Sequence, residues 1–250
     1  SPQSWRRSRA VDTKHLRETK NAEVIQLPAG QDGLWRASEL AATGGHHMLM
    51  SGEPGAGKTM AATLIKQLLP DLPQRDALET QVIFDIANQV PPAGRSFRSP
   101  HHSISIAGLV GGTRQATPGE ISLANHGVLF LDELPEFSLA TIEALRQPLE
   151  TGEIQVTRAE QSHVYPAKFQ LVAAMNPCPC GYRGHPQKEC RCTPTQVAKY
   201  RAKISGPLLD RIDLHVEVTP VSFDELAHHQ PEEGSKEIRE RVVIARLKQE

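Results

Sequence analysis

The sequence predicts an α/β fold of three layers, in which helices cover both faces of a central parallel β-sheet. Two observations predict it. Short apolar runs of strand length alternate along the 250 residues with segments of helical apolar spacing, as in parallel sheets that are buried on both faces. The first core strand leads through a glycine-rich turn into a helix, and such a turn places its ligand at the carboxyl edge of the sheet.

The glycine-rich turn fills every fixed position of the phosphate-binding pattern G-x-x-x-x-G-K-[ST]. A strand predicted at His46–Ser51 precedes it, and a helix predicted at Met60–Leu69 follows it. We expect its backbone N–H groups to bind the phosphates of ATP, the Lys58 ammonium to reach the β and γ oxygens, and the Thr59 hydroxyl to ligate Mg²⁺. The residues of this phosphate loop are Gly52, Glu53, Pro54, Gly55, Ala56, Gly57, Lys58 and Thr59.

Predicted helices flank this unit on both sides. Leu34–Ala42 is predicted to form a helix that ends at Gly44, before the first strand. Asp76–Gln89 is predicted to form another helix, which Pro91 ends. Residues 93–122 are rich in Gly, Ser, Pro, Arg and His, and a long irregular stretch of this kind is usually functional.

Two buried strands further along the chain end in polar residues. The apolar run that starts at Gly127 is followed by Asp132 and Glu133, and Phe169–Met175 is followed by Asn176. The carboxyl ends of parallel strands meet at one edge of a sheet, beside the phosphate loop. We therefore expect Asp132 to hold Mg²⁺, Glu133 to orient and polarise the attacking water, and Asn176 to sense the γ-phosphate. The alternative for Asn176 is that it only opens the loop before the next proline.

Four more elements follow from the apolar pattern. Ser138–Glu150 is predicted to be one helix with a serine N-cap. Ile154–Thr157 and His163–Tyr165 alternate like the two strands of a β-hairpin inserted into the core. His215–Val218 is predicted to be a last short strand, and Ser235–Glu250 a charged amphipathic helix.

Arg211 lies in the segment ISGPLLDRIDL, near the end of a short predicted helix. One interpretation is a local ion pair with Asp210 or Asp213. The other is an arginine finger, a guanidinium that completes the site of a neighbouring subunit and neutralises charge on the transferred phosphoryl group. A finger that acts between subunits requires a head-to-tail ring.

The four cysteines of the chain, Cys178, Cys180, Cys190 and Cys192, form a C-x-C…C-x-C set with nine residues between the two pairs. Four thiolates in one short loop rich in Gly and Pro match the ligand count of a structural Zn²⁺ site. Reduced free thiols and a redox function are the alternatives, because C-x-C is tighter than the usual C-x-x-C spacing. His185 lies in the same loop, where we expect an exposed histidine rather than a replacement ligand.

The net charge gives no signal for a polyanionic partner, since 28 Lys+Arg face 29 Asp+Glu, and any contact with DNA must come from local patches. The sequence has no apolar run of membrane-spanning length and no secretory signal, so we expect a cytoplasmic protein. The side chains predicted to contact a phosphate backbone from the irregular stretch and the hairpin are Arg95, Arg98, His101, His102, Arg114 and Arg158.

We expect three parts along the chain. Residues 1–23 are basic, have little apolar periodicity and are predicted to be a flexible arm. Residues 24–219 are the predicted ATPase core. Residues 220–250 are predicted to be a linker and the start of a helical lid that continues past residue 250, which would make this chain a piece of a longer protein.

The segments GVLFLDELPEF, TIEALRQPLE, FQLVAAMNPCPCGY and ISGPLLDRIDLHVEV accompany the phosphate loop in this chain. Together they resemble the YifB/ComM family of magnesium-chelatase-like AAA+ ATPases, from about Gly30 to Val218. The resemblance implies a hexameric DNA helicase that drives branch migration when single-stranded DNA is integrated in natural transformation. It also implies that Asp132 and Glu133 are the Mg²⁺ and water acids, Asn176 the first sensor and Arg211 the finger.

Two other functions stay open at the level of sequence. A chelatase-type motor of the same family would drive a partner protein, and its ATPase activity would be indifferent to DNA. A chain that lacks the lid could also bind ATP without turning it over.

Overall fold

The structure is a computed structural model that describes residues 30–112, 116–158, 161–185, 187–219 and 234–249. Four of the predicted features fall outside these residues: the basic arm at 1–23, residues 220–233 of the linker, Arg114 and the side chain of Arg158.

The strands are β1 (Met48–Gly52), β2 (Phe97–Arg98), β3 (Val128–Leu131), β4 (Glu153–Arg158), β5 (Gln161–Pro166), β6 (Gln170–Met175) and β7 (Leu214–Val218). The helices are α1 (Asp32–Gly44), α2 (Lys58–Leu68), α3 (Gln74–Ile86), α4 (Ile106–Val110), α5 (Glu120–Leu123), α6 (Leu139–Glu143), α7 (Arg146–Thr151), α8 (Pro194–Arg201), α9 (Gly206–Leu209) and α10 (Ser235–Leu247). A 3₁₀ turn spans Leu134–Glu136.

One parallel sheet has the strand order β2-β3-β6-β1-β7, and β4 and β5 pair separately as an antiparallel hairpin. β1 lies between β6 and β7, with Met50 opposite Ala174 on one side and Val216 on the other. The loop that leaves β1 therefore lies between the ends of neighbouring strands, where open parallel sheets bind their ligands. The predicted α/β fold is confirmed.

Buried side chains alternate between the two faces of the sheet. On one face, Leu129 and Leu171 pack with apolar residues of α6, α8 and the hairpin. On the other face, Phe130 and Val172 pack with apolar residues of α1 and α2. Neighbouring residues of a strand point to opposite faces, so both faces of the sheet are covered and the fold has three layers. Each fully buried side chain of this size contributes about 1.5–3 kcal/mol relative to exposure.

The C-terminal helix α10, expected to begin a lid, packs against the α1 and α2 layer. Ile238 and Val242 are buried in the same cluster as the apolar residues of α1 and α2. Arg241 Nε donates a hydrogen bond to Glu39 Oε1 of α1 at 2.8 Å. In the described residues this helix is therefore part of a core layer, while the predicted domain boundaries stay a prediction.

The single helix predicted over Ser138–Glu150 is wrong, because the structure has two helices, α6 and α7, with a break at Ala144 and Leu145. Pro148 explains the break. Proline lacks an N–H donor and its ring clashes with the carbonyl four residues earlier, which is that of Ala144. The predicted N-cap is confirmed, since the Ser138 hydroxyl accepts a hydrogen bond from the Thr141 N–H at 3.2 Å.

Candidate nucleotide site and cysteine cluster

Four strands deliver polar residues to the carboxyl edge of the sheet. β1 ends at the phosphate loop, and the neighbouring β6 is followed by Asn176. β3, on the other side of β6, is followed by Asp132 and Glu133. The chain after β7, the other neighbour of β1, begins with Thr219. The topology thus brings the phosphate loop, both acids and Asn176 to one edge.

The phosphate loop closes on itself directly before α2. The Ala56 N–H donates to the Glu53 carbonyl oxygen at 3.3 Å. Gly57, the N-cap of α2, has a φ of 89°, a left-handed conformation that side chains with a Cβ rarely adopt. The 11-residue helix α2 begins at Lys58, so its unpaired N–H groups open towards the loop. A helix N-terminus behind such a turn favours phosphate.

Lys58 is buried, with 8% of the residue exposed, and its ammonium group is hydrogen-bonded at the edge of the sheet. Its Nζ donates to the carbonyl oxygens of Gly52 and Glu53 at 2.7 and 2.8 Å, and lies 3.5 Å from Asn176 Oδ1. Burial lowers the pKa of Lys58, and the nearby carboxylates, with Asp132 first among them, oppose this shift. A desolvated ammonium interacts strongly with a phosphate oxygen because little water screens the charge.

Gln31 holds the phosphate loop from the other side, which sequence reasoning missed. Its side chain is buried, and Nε2 donates to the Ala56 carbonyl oxygen at 2.7 Å and to the Thr219 carbonyl oxygen at 3.3 Å. One amide therefore joins the phosphate loop to the chain that leaves β7. One signal could have indicated this role. Gln31 occupies the N-cap of α1, where Ser, Thr, Asp and Asn are preferred, so an unusual residue there points to a contact other than capping.

The two acids after β3 are exposed, in contrast to Lys58. Asp132 Oδ1 accepts a hydrogen bond from the Glu133 N–H at 2.9 Å. Glu133 has a φ of 53°, in the left-handed region, and this conformation costs a residue other than glycine about 1–3 kcal/mol. Backbone strain of this kind clusters at active sites.

His102 contacts the carboxylate that we predict to orient water. Its Nδ1 lies 3.2 Å from Glu133 Oε2, and its ring stands edge-on to Phe137 at 6.4 Å. The neighbouring His101 ring packs against that of His102, with 4.1 Å between the two ring centroids. The irregular stretch before α4 therefore reaches the acids. The sequence gives no sign of this contact, because His102 and Glu133 are far apart in the chain and share no periodic pattern.

Arg211 follows α9 and is engaged by its own chain. One terminal nitrogen donates to the Pro207 carbonyl oxygen at 2.5 Å, and the other pairs with the Glu150 carboxylate of α7. The interpretation of a local ion pair named Asp210 or Asp213 as the partner, and this is wrong, because the partner in the structure is Glu150. Among the described residues, none of the contacts of Arg211 is with the phosphate loop. The Glu150 side chain is 59% exposed, so water screens this ion pair, and such pairs contribute about 0–1 kcal/mol. The Arg211 side chain is only 23% exposed, and its Nε is buried with no hydrogen-bond partner among the described residues.

Two of the arginines predicted to contact a phosphate backbone are occupied inside the protein. Arg95 donates to the carbonyl oxygens of Pro70 and His126 at 2.6 and 2.7 Å, and burial lowers its pKa to about 10. Arg98 forms a two-bond ion pair with Glu120 at 2.6 and 2.7 Å. Both side chains bind other parts of the same chain and stabilise the irregular stretch, and their contact with DNA stays a prediction.

The four cysteines converge into one cluster, in which all four Sγ atoms lie within 4.8 Å of one another. Cys178 Sγ is 3.4 Å from Cys180 Sγ and 3.7 Å from Cys190 Sγ, and the latter two are 3.6 Å apart. Zn–S bonds of about 2.3 Å in a tetrahedron separate the sulfurs by about 3.8 Å. The cluster therefore fits Zn²⁺, whereas a disulfide requires about 2.05 Å.

The thiols of this cluster differ in acidity. Backbone N–H groups of Tyr182 and Arg191 donate to Cys180 Sγ and lower the pKa of Cys180 to about 6. Burial raises the pKa of Cys192 to about 12. One thiolate is therefore stable at neutral pH, while four thiolates together need a cation to balance their charge.

His185, expected to be an exposed loop residue, is in fact largely buried. Its side chain is 11% exposed, and Nε2 lies 3.1 Å from Glu53 Oε2 of the phosphate loop. It lies outside the group of four sulfurs. The prediction failed because the contact joins two loops that are distant in sequence.

Residues 25–226 match the family model described as magnesium chelatase, subunit ChlI. The chain belongs to the magnesium-chelatase-like AAA+ ATPases. Within this family it is 48% identical over 234 residues to the uncharacterised protein YifB of Escherichia coli K12, and 45% identical over 232 residues to the competence protein ComM of Haemophilus influenzae. Each alignment covers 91% of this chain and 45% of the relative. The chain thus spans about half the length of these relatives, and the YifB/ComM resemblance is confirmed.

A solved structure of NtrX from Brucella abortus in complex with ATP has the same fold as this magnesium-chelatase-like chain. The TM-score is 0.51 at 15% sequence identity, and the match covers 80% of this chain and 39% of NtrX. In the part of the chain that the structure describes, no helix is long and apolar enough to cross a membrane.

Proposed function

We propose that this chain is the ATPase core of a ring-forming motor that acts on DNA in the cytoplasm. One observation carries the ATPase part. The buried Lys58 ammonium lies 3.5 Å from the Asn176 amide, at the same edge of the sheet as the two exposed acids. A desolvated cation, a helix N-terminus and solvent-facing carboxylates are the groups that a nucleoside triphosphate and its attacking water require.

Each residue has a role in this proposal. The phosphate loop binds the phosphates through its N–H groups, and Lys58 binds the β and γ oxygens. Thr59 and Asp132, both exposed at this edge, hold Mg²⁺, which neutralises phosphate charge. Glu133 orients the attacking water, and Asn176 holds the γ-phosphate beside Lys58.

Arg211 is the proposed arginine finger for a neighbouring subunit, in a head-to-tail ring that we take to be a hexamer. Its Glu150 partner is 59% exposed, so water screens that ion pair, and the buried Arg211 Nε has no hydrogen-bond partner among the described residues. A phosphate of the neighbouring site would replace Glu150 and pair with the guanidinium. A guanidinium from outside the subunit would add the charge that the site's own Lys58 cannot supply alone. Arg211→Ala should therefore remove turnover while ATP binding is retained.

The DNA part of the proposal rests on the YifB/ComM family and on the ComM relative that is named a competence protein. The contact between His102 and Glu133 adds a physical route for coupling, since a polymer bound to the irregular stretch would change the surroundings of Glu133. With Arg95 and Arg98 occupied, the proposed DNA contacts are His101, His102, Arg114 and Arg158.

The rival proposal is a chelatase-type motor that drives a partner protein, and the match to the magnesium chelatase family model favours it. Steady-state ATP hydrolysis with and without single-stranded and branched DNA separates the two, with Glu133→Gln as the blank. Stimulation by DNA supports the DNA motor, and turnover indifferent to DNA supports the chelatase-type motor. Binding of ATP without turnover, in this chain and in one that spans the full length of the relatives, would refute both.

We also propose that the four cysteines hold one structural Zn²⁺ ion. The sulfur separations of 3.4–3.7 Å and the N–H groups directed at Cys180 support a tetrathiolate site. Metal analysis of freshly purified protein should find one zinc per chain. A metal-free protein with four titratable thiols would refute the site.

A further inference from the structure

The segment between Cys180 and Cys190 reaches back to the phosphate loop. Cys180 and Cys190 belong to the cysteine cluster, so the cluster fixes both ends of the segment. At Gly181, a Cβ would lie 3.0 Å from Pro54 Cδ of the phosphate loop, at a φ of 84°. The two loops are therefore in contact at a point where any residue with a Cβ would be strained.

A second contact lies between His185 and Glu53. His185 Nε2 is 3.1 Å from Glu53 Oε2, and the two side chains are 11% and 16% exposed. His185 Nδ1 accepts hydrogen bonds from the N–H groups of Gln187 and Lys188 at 2.9 and 3.0 Å. Because Nδ1 is an acceptor, the ring hydrogen is on Nε2, which donates to the Glu53 carboxylate.

Glu53 needs such a donor because of where its carboxylate lies. A carboxylate largely removed from water is unfavourable without a hydrogen-bond donor, and in a phosphate loop it would repel the ligand. The carbonyl oxygen of the same residue accepts a hydrogen bond from Lys58 Nζ at 2.8 Å. Glu53 thus connects His185, through its side chain, to Lys58, through its backbone.

We infer that His185 is a positioning residue of the nucleotide site, and that the metal-bound cysteine cluster holds it against Glu53. The inference rests on the nucleotide and zinc sites proposed above. The cluster holds both ends of the loop in place, and His185 donates a hydrogen bond to the Glu53 carboxylate. The Glu53 carbonyl oxygen in turn accepts a hydrogen bond from Lys58 Nζ and orients it. Loss of the metal therefore weakens nucleotide binding, although the metal itself is not a ligand of the nucleotide.

The first test measures the Kd for a fluorescent ADP analogue, together with zinc content, in three variants of the chain. His185→Ala should weaken ADP binding about three- to tenfold while zinc stays at the wild-type content. His185→Gln keeps an N–H donor and should lose less. His163→Ala, at an exposed histidine of β5, is the matched control and should bind ADP like the wild type. Wild-type affinity in His185→Ala would overturn the inference.

A double-mutant cycle tests whether His185 acts through Glu53. In a Glu53→Ala background, His185→Ala should no longer change the Kd for ADP, because its partner is gone. An equal loss of affinity in both backgrounds would show that the two residues act independently, and would overturn the inference.

The link to the metal is tested by Cys190→Ser, which should lose zinc and weaken ADP binding at least as much as His185→Ala. Loss of zinc with wild-type ADP affinity would overturn that link. Failures of the earlier proposals look different. A wild-type chain without zinc, in which His185→Ala still weakens binding, refutes the zinc site and the link to the metal but supports the positioning role of His185. A wild-type chain that binds no ADP refutes the nucleotide site and this inference with it.

Discussion

The two halves of the candidate nucleotide site are built differently. On the phosphate-loop side, Lys58 is buried and bonded to two carbonyl oxygens, and both Gln31 and His185 reach in from other parts of the chain. On the acid side, Glu133 is exposed, and its carboxylate is paired with His102 of an irregular stretch.

The difference suggests a division of labour. A loop held from several directions loses little conformational freedom when a ligand binds, so it suits tight binding. An exposed carboxylate held by one partner can be moved by a partner subunit or a substrate, so it suits control of turnover. Mutations in the two halves should therefore separate affinity from rate.

The largest effect is expected for Glu133→Gln. Removing the group that we propose to orient and polarise the attacking water should lower kcat by about 10²–10⁴-fold and leave the Kd for ATP within about twofold. Glu136→Gln, at an exposed carboxylate of the following 3₁₀ turn, is the matched control and should keep wild-type turnover. Steady-state hydrolysis measures kcat and equilibrium binding measures the Kd for ATP. A large loss of ATP affinity in Glu133→Gln would contradict the assignment of the acid side to turnover rather than to binding.

Lys58→Ala should mainly weaken ATP binding, in contrast to Glu133→Gln, which should mainly lower kcat. Charged hydrogen bonds contribute about 1.5–3 kcal/mol each, so their loss should weaken ATP binding about 10- to 100-fold. Lys66→Ala, in the last turn of the same helix, should bind ATP like the wild type. Titration with a fluorescent ATP analogue measures both variants, and unchanged affinity in Lys58→Ala would remove the phosphate loop from the site.

His102→Ala sharpens the comparison within the acid side. Without its partner, the Glu133 carboxylate is less well oriented, and kcat should fall about three- to tenfold with KM for ATP unchanged. His102→Asn, which keeps an N–H donor, should recover part of the rate, while His101→Ala should have the smaller effect. A rise in KM without a change in kcat would place His102 in the binding half instead.

The smallest effect is expected far from both halves, where Glu79 of α3 pairs with His126 at 2.5 Å, directly before β3. Burial works to raise the pKa of Glu79, but hydrogen bonds from His126 and Asn125 outweigh it and lower the pKa below the usual 4.5. A carboxyl group with a lowered folded pKa stabilises the fold above the unfolded pKa, and this contribution disappears as the pH falls through the folded pKa.

Glu79→Gln should therefore cost about 0.5–1 kcal/mol of unfolding free energy at pH 7, after allowance for solvent screening. The difference from the wild type should shrink below about pH 4.5, the usual pKa of the group. Urea unfolding at pH 7 and pH 3.5 measures it, with Glu240→Gln, on the exposed side of α10, as the control. An equal difference at both pH values would show that the charge of Glu79 is irrelevant.

The parts of the molecule that sequence predicts well are those with a local cause. The phosphate loop, its flanking strand and helix, and the acids after β3 each follow from a contiguous pattern, and parallel pairing then brings them to one edge. The split between α6 and α7 also has a local cause, the ring of Pro148, which an apolar pattern alone does not show.

The contacts that sequence reasoning missed join loops. His185 was expected to be exposed, yet its side chain is 11% exposed and contacts Glu53. Arg95 was expected to face outward, yet it donates to two carbonyl oxygens of its own chain. Gln31 and His102 contact the site from loop segments whose sequences show no regular apolar spacing. Such contacts depend on how loops fold over the end of the sheet, and no periodicity records that.

The left-handed backbone at Glu133 has an evolutionary consequence. Glycine adopts a φ of 53° without penalty, and asparagine adopts it more readily than glutamate. Selection for a more stable chain alone would therefore replace Glu133, and each such replacement would remove the carboxylate. A library of variants ranked by melting temperature should thus enrich more stable chains that lack the proposed catalytic acid, because at this position stability and the proposed activity are in conflict.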